Sequence, residues 1–340
     1  MSRKISRSLI NGRTGAGTAG QGLKVEWDST NDGELHWMDV SESSLEYVAP
    51  AYWGDRAVCG GYFSGLEYVS ISTPGNATVF GNTSSSSRYG VDALSNGTRG
   101  VWSGGGAYIN IIDYITISTT SNATDFGDLI TGKRYVSCTS NLTRGFINGG
   151  TDGSSLTDIE YITVATTGNA TDFGDLITGM DEAASTTNGT RALVAGGNGG
   201  TAKTDIVYIT MDTPGNATDF GDMTVTRGLS KGCCNDDTRS VFVGGFSSPA
   251  TGGGVRNVID YVTTATTGNA TDFGDLSRYS GSLGGTEDGT IGIFMGGMSF
   301  SGGWVAQNNI DYITIQTTGN ATDFGDLIVA SFYHGACSGD

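Results

Sequence analysis

Paired aspartates are the most regular polar feature of the chain and the first candidates for chemistry. They stand three residues apart in the wording Asp-Phe-Gly-Asp at Asp125 and Asp128, Asp172 and Asp175, Asp219 and Asp222, Asp272 and Asp275, and Asp323 and Asp326. A sixth, corresponding stretch has Val79 and Asn82 instead. Carboxylate oxygens at this density could bind calcium, although each pair offers two acids and calcium takes about six to eight oxygens. The alternative is that the side chains accept hydrogen bonds from backbone N–H groups and fix the following turn.

Other motifs of catalytic or cofactor chemistry are incomplete. Residues 197–204 nearly match a phosphate-binding loop, but Ala202 stands where glycine is needed and a strand is predicted to follow, so no helix N-terminus would hold the phosphate. The two histidines, His36 and His334, lie far apart, and no serine-centred nucleophile motif accompanies them. The five cysteines lack metal-binding spacing, which favours reduced, buried thiols. We therefore predict no enzymatic activity, no cofactor and no metal site.

An eleven-residue repeat positions these groups. The stretch Thr-Thr-Gly-Asn-Ala-Thr-Asp-Phe-Gly-Asp-Leu is complete at 166–176, 266–276 and 317–327, and six copies are marked by Asn76, Asn122, Asn169, Asn216, Asn269 and Asn320. The steps between these marker asparagines are 46, 47, 47, 53 and 51 residues, a period typical of a solenoid or a propeller. Each marker begins an Asn-x-Thr sequon, a glycan acceptor in a secreted eukaryotic chain, but the phasing with the repeat favours a role in a turn.

The spacings within each copy predict four strands. An apolar run ends in a glycine pair, a tyrosine-centred β-branched run follows, and the tyrosine precedes the marker asparagine by eight residues in all six copies. Strand a is a run of small residues such as 136–140, strand b ends in the glycine pair, strand c carries the tyrosine, and strand d is Ala-Thr-Asp-Phe-Gly-Asp-Leu. Sustained helical periodicity is lacking, so the chain is predicted to be all-β. Radial four-stranded sheets make a β-propeller.

These residues resemble the kelch repeat. The resemblance covers residues 56–337 and rests on the Gly-Gly pair, the tyrosine strand, the Thr/Pro-Gly-Asn turn and an aromatic residue on strand d, which is phenylalanine here where kelch repeats usually carry tryptophan. The wording Gly-Asn-Ala-Thr-Asp-Phe-Gly-Asp-Leu also resembles repeats in structural proteins of tailed, especially marine, bacteriophages. The resemblance implies a kelch-like propeller in a virion protein.

The ends of the repeat region predict how the ring closes. No strand a precedes Arg56, whereas residues 331–338 align with the other a strands. The C-terminal strand is therefore expected to complete blade one of a six-bladed propeller, which leaves no orphan edge.

The predicted topology separates two faces. The a–b and c–d turns share one face, which we call the turn face, and their sequences are nearly uniform. The b–c and d–a connections share the opposite loop face, and the interval from the second glycine to the tyrosine varies there as 7, 9, 11, 11, 16 and 15 residues. The two longest connections, 246–258 and 298–309, contain the predicted binding residues Phe246, Arg256, Met298, Phe300 and Trp304. Such residues are usual interface anchors, although Phe300 and Trp304 could instead cap blade six.

The N-terminal segment differs from the repeats. Residues 1–22 are predicted to be a flexible basic arm, and 23–55 an aromatic-rich attachment segment with a β-hairpin over 23–40. Residues 1–24 contain five cations and no acid. Because the whole chain has a net charge of −17, the remainder carries about −22. We predict that residues 1–55 dock on other virion proteins, and the attachment residues expected to contribute are Arg3, Lys4, Arg7, Arg13, Lys24, Trp27 and Trp37.

These features predict a non-enzymatic structural or recognition subunit. The expected setting is a phage virion (tail, fibre or capsid decoration) made in the host cytoplasm, with a host-surface glycan or protein bound on the loop face. The acidic charge argues against a nucleic-acid partner, and neither a membrane span nor a signal peptide is expected. The alternative is a glycan-binding lectin, possibly calcium-dependent; a glycan-processing enzyme is disfavoured because catalytic groups do not cluster in the sequence. Fold alone cannot choose among these functions.

Overall fold

The computed structural model describes residues 21–23, 37–39 and 53–340, with gaps at 64, 87, 229–230, 249–252 and 301–302. The chain divides into two units, Met1–Pro50 and Ala51–Asp340. In the first unit Gln21–Leu23 pairs antiparallel with Trp37–Asp39. Residues 1–20, residues 24–36 and the side chain of Trp37 lie outside the described part, so the hairpin predicted over 23–40, with its turn, stays a prediction. The predicted roles of Arg3, Lys4, Arg7, Arg13, Lys24, Trp27 and Trp37 therefore remain predictions.

The described residues of 56–339 form six four-stranded antiparallel sheets, each in the order a-b-c-d. The a strands are Asp92–Ser95, Ser137–Ser140, Ala184–Thr187, Gly232–Asn235, Gly284–Glu287 and Gly335–Gly339. The b strands are Arg56–Gly60, Arg99–Ser103, Arg144–Asn148, Arg191–Ala195, Arg239–Val243 and Ile291–Met295. The c strands are Gly65–Ser70, Ile111–Thr116, Asp158–Thr163, Lys203–Thr210, Val258–Thr263 and Asn309–Thr314. The d strands are Thr78–Asn82, Thr124–Asp128, Thr171–Asp175, Thr218–Arg227, Thr271–Asp275 and Thr322–Asp326.

The sheets form a closed ring. Each a strand contacts the a strands of the blades on either side, including the last against the first. The fold is thus a six-bladed β-propeller, as the repeat spacings predicted. None of the described residues belongs to a helix capable of crossing a membrane.

Blade one confirms the predicted closure. Gly335–Gly339 pairs antiparallel with Arg56–Gly60, with Arg56 opposite Gly339 and Gly60 opposite Gly335. Ala336 and Cys337 of this strand are buried against neighbouring blades. A strand from the end of the repeat region therefore completes the sheet that the first repeat begins.

The core lies between adjacent blades. In each blade the strand-c tyrosine meets the strand-d phenylalanine edge to face, with centroids 5.8 to 6.1 Å apart. The phenylalanines are buried, whereas the tyrosines are half-buried at the blade margin. Arginines at the start of five b strands lie over the same tyrosines at 4.2 to 5.1 Å, as in Arg99 over Tyr114. Each of these arginines also donates from Nη1 to a backbone carbonyl of a neighbouring blade. This repeated contact gives a physical reason for the arginine that begins strand b in five of the six blades.

The marker asparagines join each blade to the one before it. Asn169 Oδ1 accepts a hydrogen bond from the backbone N–H of Asp128 at 3.0 Å, and the next residue, Ala170, donates its N–H to the Asp128 carbonyl at 2.8 Å. The same pair of bonds recurs at the other five junctions, including Asn76 and Ala77 with Asp326 across the closure. The markers therefore serve turn and junction chemistry, as their phasing with the repeat indicated.

The strand-d glycines are required by this junction. An ideal Cβ at Gly221, whose φ is +149°, would lie 2.4 Å from the carbonyl oxygen of Gly268 in the next blade. At Gly168, whose φ is +158°, a Cβ would meet no atom within 4 Å, so Gly168→Ala is the matched control for backbone strain. We expect Gly221→Ala to lower the free energy of unfolding by about 1–3 kcal/mol more than Gly168→Ala does, because the blades would have to separate. Urea denaturation of both variants tests this; equal effects would contradict the junction as the cause.

Buried ion pairs tie four of the d–a connections to the following blade. Arg88 Nη1 lies 2.5 Å from Asp113 Oδ2, and Arg227 Nη2 lies 2.6 Å from Asp260 Oδ2, with all four side chains fully buried. Two related pairs are Lys133 with Asp158 and Glu160, and Arg278 with Asp311. Burial lowers the pKa of the Arg88 and Arg227 guanidiniums, and the facing aspartates oppose that shift. The connection into blade four has Met180 at the equivalent position, packed in one apolar cluster with Val207.

Candidate recognition surface

The two longest b–c connections are hairpins, not irregular loops. Phe246–Ser248 pairs with Gly253–Val255, and Met298–Phe300 pairs with Trp304–Ala306. Both stand on the loop face, because the b–c connections leave the sheets there. The sequence interval gave their length, but it did not show that these residues would pair.

The hairpins bury part of the predicted binding set. Phe246 and Met298 are 0% and 3% exposed and pack with Phe332 and Tyr333. Their side chains cannot meet a partner without rearrangement, so the prediction is corrected for these two: they hold the hairpins on the propeller. The half-buried Arg256 donates its backbone N–H to the Gly245 carbonyl.

Phe300 and Trp304 are the members of the predicted set with large exposed side chains, at 40% and 44%. Their rings meet edge to face at 5.1 Å, and Trp304 also contacts the Phe246 ring at 4.9 Å. Trp304 therefore both covers the hairpin base and offers ring surface to solvent. Both interpretations made from the sequence therefore apply to this side chain. One part of the indole ring caps the hairpin, and the other part is exposed to solvent, where recognition would take place.

A second group of aromatic residues lies on the loop face over blades one to three. We call it the mouth cluster; its members come from three d–a connections and two b–c connections and are Tyr62, Phe63, Tyr89, Tyr108, Tyr135, Phe332 and Tyr333. Centroid distances of 4.2, 6.4 and 6.2 Å link Phe63 to Tyr62, Tyr62 to Tyr89, and Tyr89 to Tyr135. A further distance of 5.0 Å links Tyr135 to Tyr333. Phe63 is 61% exposed and Tyr108 is 38% exposed.

Arg134 is fixed among three of these rings. Its guanidinium carbon lies 4.9, 4.6 and 4.9 Å from the centroids of Tyr89, Tyr108 and Tyr135, and Nη1 donates a hydrogen bond to the Tyr89 hydroxyl. Its backbone exchanges two hydrogen bonds with Thr151 of blade three, at 3.0 and 2.8 Å. The cation–π contacts and these bonds hold the arginine in one orientation. The tyrosine faces around it are thereby held in place too.

A run of backbone hydrogen bonds links five successive d–a connections and includes two members of the mouth cluster, Tyr135 and Tyr333. Tyr135, Glu182, Ser282 and Tyr333 occupy equivalent positions and all have a positive φ of 54° to 58°. Successive N–H groups donate to the preceding member's carbonyl: Tyr135 to Gly90, Glu182 to Tyr135, Tyr333 to Ser282 and Gly90 to Tyr333. Lys231 Nζ donates to the carbonyls of Gly90 and Val91 on the opposite blade, at 3.3 and 3.0 Å. These bonds fix the backbone from which the Tyr135 and Tyr333 side chains extend.

Burial sets the protonation of the Glu182 carboxyl and the Tyr135 hydroxyl. It raises the pKa of Glu182 to about 8, a shift that the nearby Asp181 increases and Lys231 opposes. Burial also raises the pKa of Tyr135 to about 12. At pH 7 the Glu182 carboxyl is therefore mostly protonated and the Tyr135 hydroxyl fully so. Both groups can donate hydrogen bonds.

A polar groove of about 690 Å³ adjoins the cluster between blades three and four. Its lining includes Thr151, Ser155, Thr178, Asp181 and Lys203. Ser155 Oγ donates to Asp181 Oδ2 at 2.6 Å, and Lys203 Nζ donates to Thr178 Oγ1 and the Gly179 carbonyl at 2.5 and 3.0 Å. Lys203 belongs to the near match to a phosphate-binding loop, but it begins strand c of blade four, as the prediction of a following strand required.

The remaining candidates for chemistry, His334 and three of the cysteines, are buried. Ser331 Oγ lies 3.2 Å from His334 Nδ1, beside a pocket of about 180 Å³. His334 is fully buried, and burial lowers its pKa to about 4, so the imidazole is a weak base. Burial also raises the pKa of the Cys59, Cys138 and Cys234 thiols, which keeps them unreactive.

The strand-d aspartates are spread around the outer edges of the blades. Asp175 and Asp222 accept hydrogen bonds from Thr157 and Thr204 at 3.0 Å. Within the described ranges, no three histidine, cysteine or acidic side chains form a group that could hold a metal ion. The hydrogen bonds at the turn come mainly from the aspartate backbone to the marker asparagines.

Sequence reasoning missed the mouth cluster, because its members are scattered from residue 62 to residue 333. One signal was present: an aromatic residue recurs just before strand a, at Tyr89, Tyr135, Tyr279 and Phe332, outside the regular strand-c tyrosines.

No protein-family model and no curated protein matches the chain. The function is therefore proposed from the geometry of the loop face.

Proposed function

We propose that the chain is a non-enzymatic, kelch-like recognition subunit of a bacteriophage virion, placed in the tail, a fibre or the capsid decoration. It docks on other virion proteins through residues 1–55 and presents its loop face to a protein or a host surface. The assignment to a kelch-like virion protein is supported by the resemblance of the repeat, from the Gly-Gly pair to the wording Gly-Asn-Ala-Thr-Asp-Phe-Gly-Asp-Leu.

The asymmetry of the two faces carries the recognition role. On the turn face, the same hydrogen bonds recur around the ring: Asn96, Asn141 and Asn188 each accept two backbone N–H groups across the a–b turn, and so do Asp236 and Asp288. The loop face carries the two added hairpins, the mouth cluster and the polar groove. A surface with varied shape, exposed aromatic rings and one fixed arginine has the composition of an interface.

A recognition role requires no catalytic chemistry, and this agrees with the burial of the imidazole and thiol groups. His334 and the thiols of Cys59 and Cys138 lie beneath the surface, and burial shifts their pKa values away from reactivity.

The mouth cluster favours a glycan over a protein as the partner on the loop face, because it combines ring faces with fixed hydrogen-bonding groups.

The N-terminal segment provides the test of the virion role. Deleting residues 1–24 is expected to abolish incorporation into phage particles while leaving the melting temperature of the propeller unchanged, because the five cations lie outside the blades. Incorporation is measured by peptide mass spectrometry of purified particles, with the parent chain as the reference. A matched variant that replaces the five cations by glutamine separates charge from length.

Two outcomes would contradict the proposal. Normal incorporation of the truncated chain would argue against a tether in residues 1–24. Absence of the parent chain from purified particles would remove the virion role itself.

A further inference from the structure

We propose that the mouth cluster and the polar groove together form one binding site for a neutral oligosaccharide. The proposal rests on the recognition role of the loop face and names the ligand class. The occupant would lay the C–H faces of its sugar rings on the exposed aromatic rings and direct its hydroxyl groups into the groove. Four observations carry the assignment.

The first observation is that Arg134 links the two parts. Arg134, which is held among the rings of Tyr89, Tyr108 and Tyr135, exchanges two backbone hydrogen bonds with Thr151. Thr151 lines the polar groove with Asp181, and the positive charge of Arg134 lowers the pKa of Asp181 against a larger upward effect of burial. One residue therefore contacts the aromatic rings with its side chain and the wall of the groove with its backbone.

The second observation is the alternation of surface chemistry. Phe63 and Tyr108 offer exposed ring surface, and the half-buried Tyr62 and Tyr89 connect them to the channel mouth. The groove offers serine and threonine hydroxyls, one carboxylate and one ammonium group. Sugars are amphipathic in the same sense, with apolar C–H faces and a rim of hydroxyl groups. Sites of this kind combine aromatic walls with a few fixed polar groups.

The third observation is preorganisation. Asp181 is held by the Ser155 hydroxyl at 2.6 Å, and Lys203 is held by Thr178 and the Gly179 carbonyl. The backbone hydrogen bonds that Tyr135 and Tyr333 make fix the positions from which their aromatic rings project. Less side-chain freedom is then lost on binding, which favours affinity for a small polar ligand.

The fourth observation is charge. The chain has a net charge of −17, while the site itself offers Arg134 and Lys203 against Asp181. A nucleic acid or a strongly anionic polymer would be repelled by the body of the protein and would meet too few cations for phosphate binding. A neutral ligand carries no such penalty. The succession of rings from Phe63 through Tyr62 and Tyr89 to Tyr135 fits an oligosaccharide better than a single sugar.

The experiment uses the full chain on an array of neutral oligosaccharides, followed by calorimetric titration of the tightest array ligand. We expect the parent to bind and Tyr108→Ala to weaken binding at least tenfold, about 1.4 kcal/mol. Phe63→Ala, at a more exposed position, is expected to weaken binding in the same direction and serves if the Tyr108 variant does not fold. Thermal melts establish folding of each variant.

An exposed tyrosine elsewhere on the chain provides the matched control. Tyr279→Ala changes a 60% exposed tyrosine in the connection from blade five to blade six. This variant is expected to bind like the parent. Failure of the parent to bind any array glycan, or unchanged binding by both the Phe63 and Tyr108 variants, would overturn the proposal.

Loss of binding in Trp304→Ala with retention in Tyr108→Ala would also overturn it and would move recognition to the hairpins. Because the titration uses the isolated chain, its failure leaves the particle-incorporation test untouched. A chain that is absent from particles but binds the oligosaccharide would refute the virion role alone.

Discussion

Asp113→Ala is expected to lower the free energy of unfolding by about 3–5 kcal/mol, the usual cost of leaving a buried charge without its partner. Arg88 and Asp113 are both fully buried, and Nη1 and Oδ2 are 2.5 Å apart. Arg88 also donates to the carbonyls of Gly104 and Ile111, so its guanidinium cannot leave without breaking the connection into blade two. Chemical denaturation of the variant and the parent measures the loss.

The chain contains its own control for this prediction. Met180 and Val207 occupy the corresponding positions in the connection into blade four and in its strand c, and they pack in one apolar cluster. The double variant Arg88→Met with Asp113→Val is expected to recover most of the stability lost in Asp113→Ala, to within about 1 kcal/mol of the parent, because apolar replacement of a buried ion pair is often neutral. A double variant as unstable as the single one would show that Arg88 is needed for its backbone contacts.

Removing residues 335–340 is expected to lower the melting temperature by on the order of 10 °C or more and to cause association of the chains. The deletion exposes the edge of Arg56–Gly60 and uncovers the buried surface that Ala336 and Cys337 contact. Differential scanning calorimetry and light scattering measure the two effects.

Deletion of Asp340 alone is the matched control. It removes the hydrogen bond from the Asp55 N–H to Oδ1 and that from the Asp340 N–H to the Gly97 carbonyl, but it leaves the five paired residues in place. We expect a loss of about 1–3 kcal/mol. If the longer deletion melted like the parent and stayed monomeric, the shared blade would not be what stabilises the ring.

The fold could be predicted from the sequence because the information is repeated. The marker asparagines, the strand-c tyrosines and the glycine pairs recur at fixed spacing, so each copy supports the assignment of the others. The closure followed from the same argument, since residues 331–338 match the other a strands and strand b of blade one would otherwise have one unpaired edge. Where the repeat is regular, spacing alone indicated the strands and the tight turns between them.

The candidate site could not be predicted in this way, because it lies where the copies differ. The same holds for the buried ion pairs. Arg88 and Met180 hold equivalent positions but differ in residue type. The aspartate partners of Arg88 and Arg227 lie 25 and 33 residues further along the chain. Tyr89 meets Tyr62 on one side and Tyr135 on the other only when three blades are in place. The burial of Phe246 and Met298 could not be predicted for the same reason. Both residues belong to the two added hairpins, whose strands pair with each other and not with the repeated strands.

The closure of blade one also determines how the ring responds to force. Arg56 and Gly339 face each other at the same end of an antiparallel pair, so tension between the flanking segments would open this pair as a zipper, one residue at a time, rather than shear all five together. Zipper loading concentrates force on a single hydrogen-bonded step. Tension between the segment before Arg56 and the loop face would instead act along the strand and load all five paired residues together.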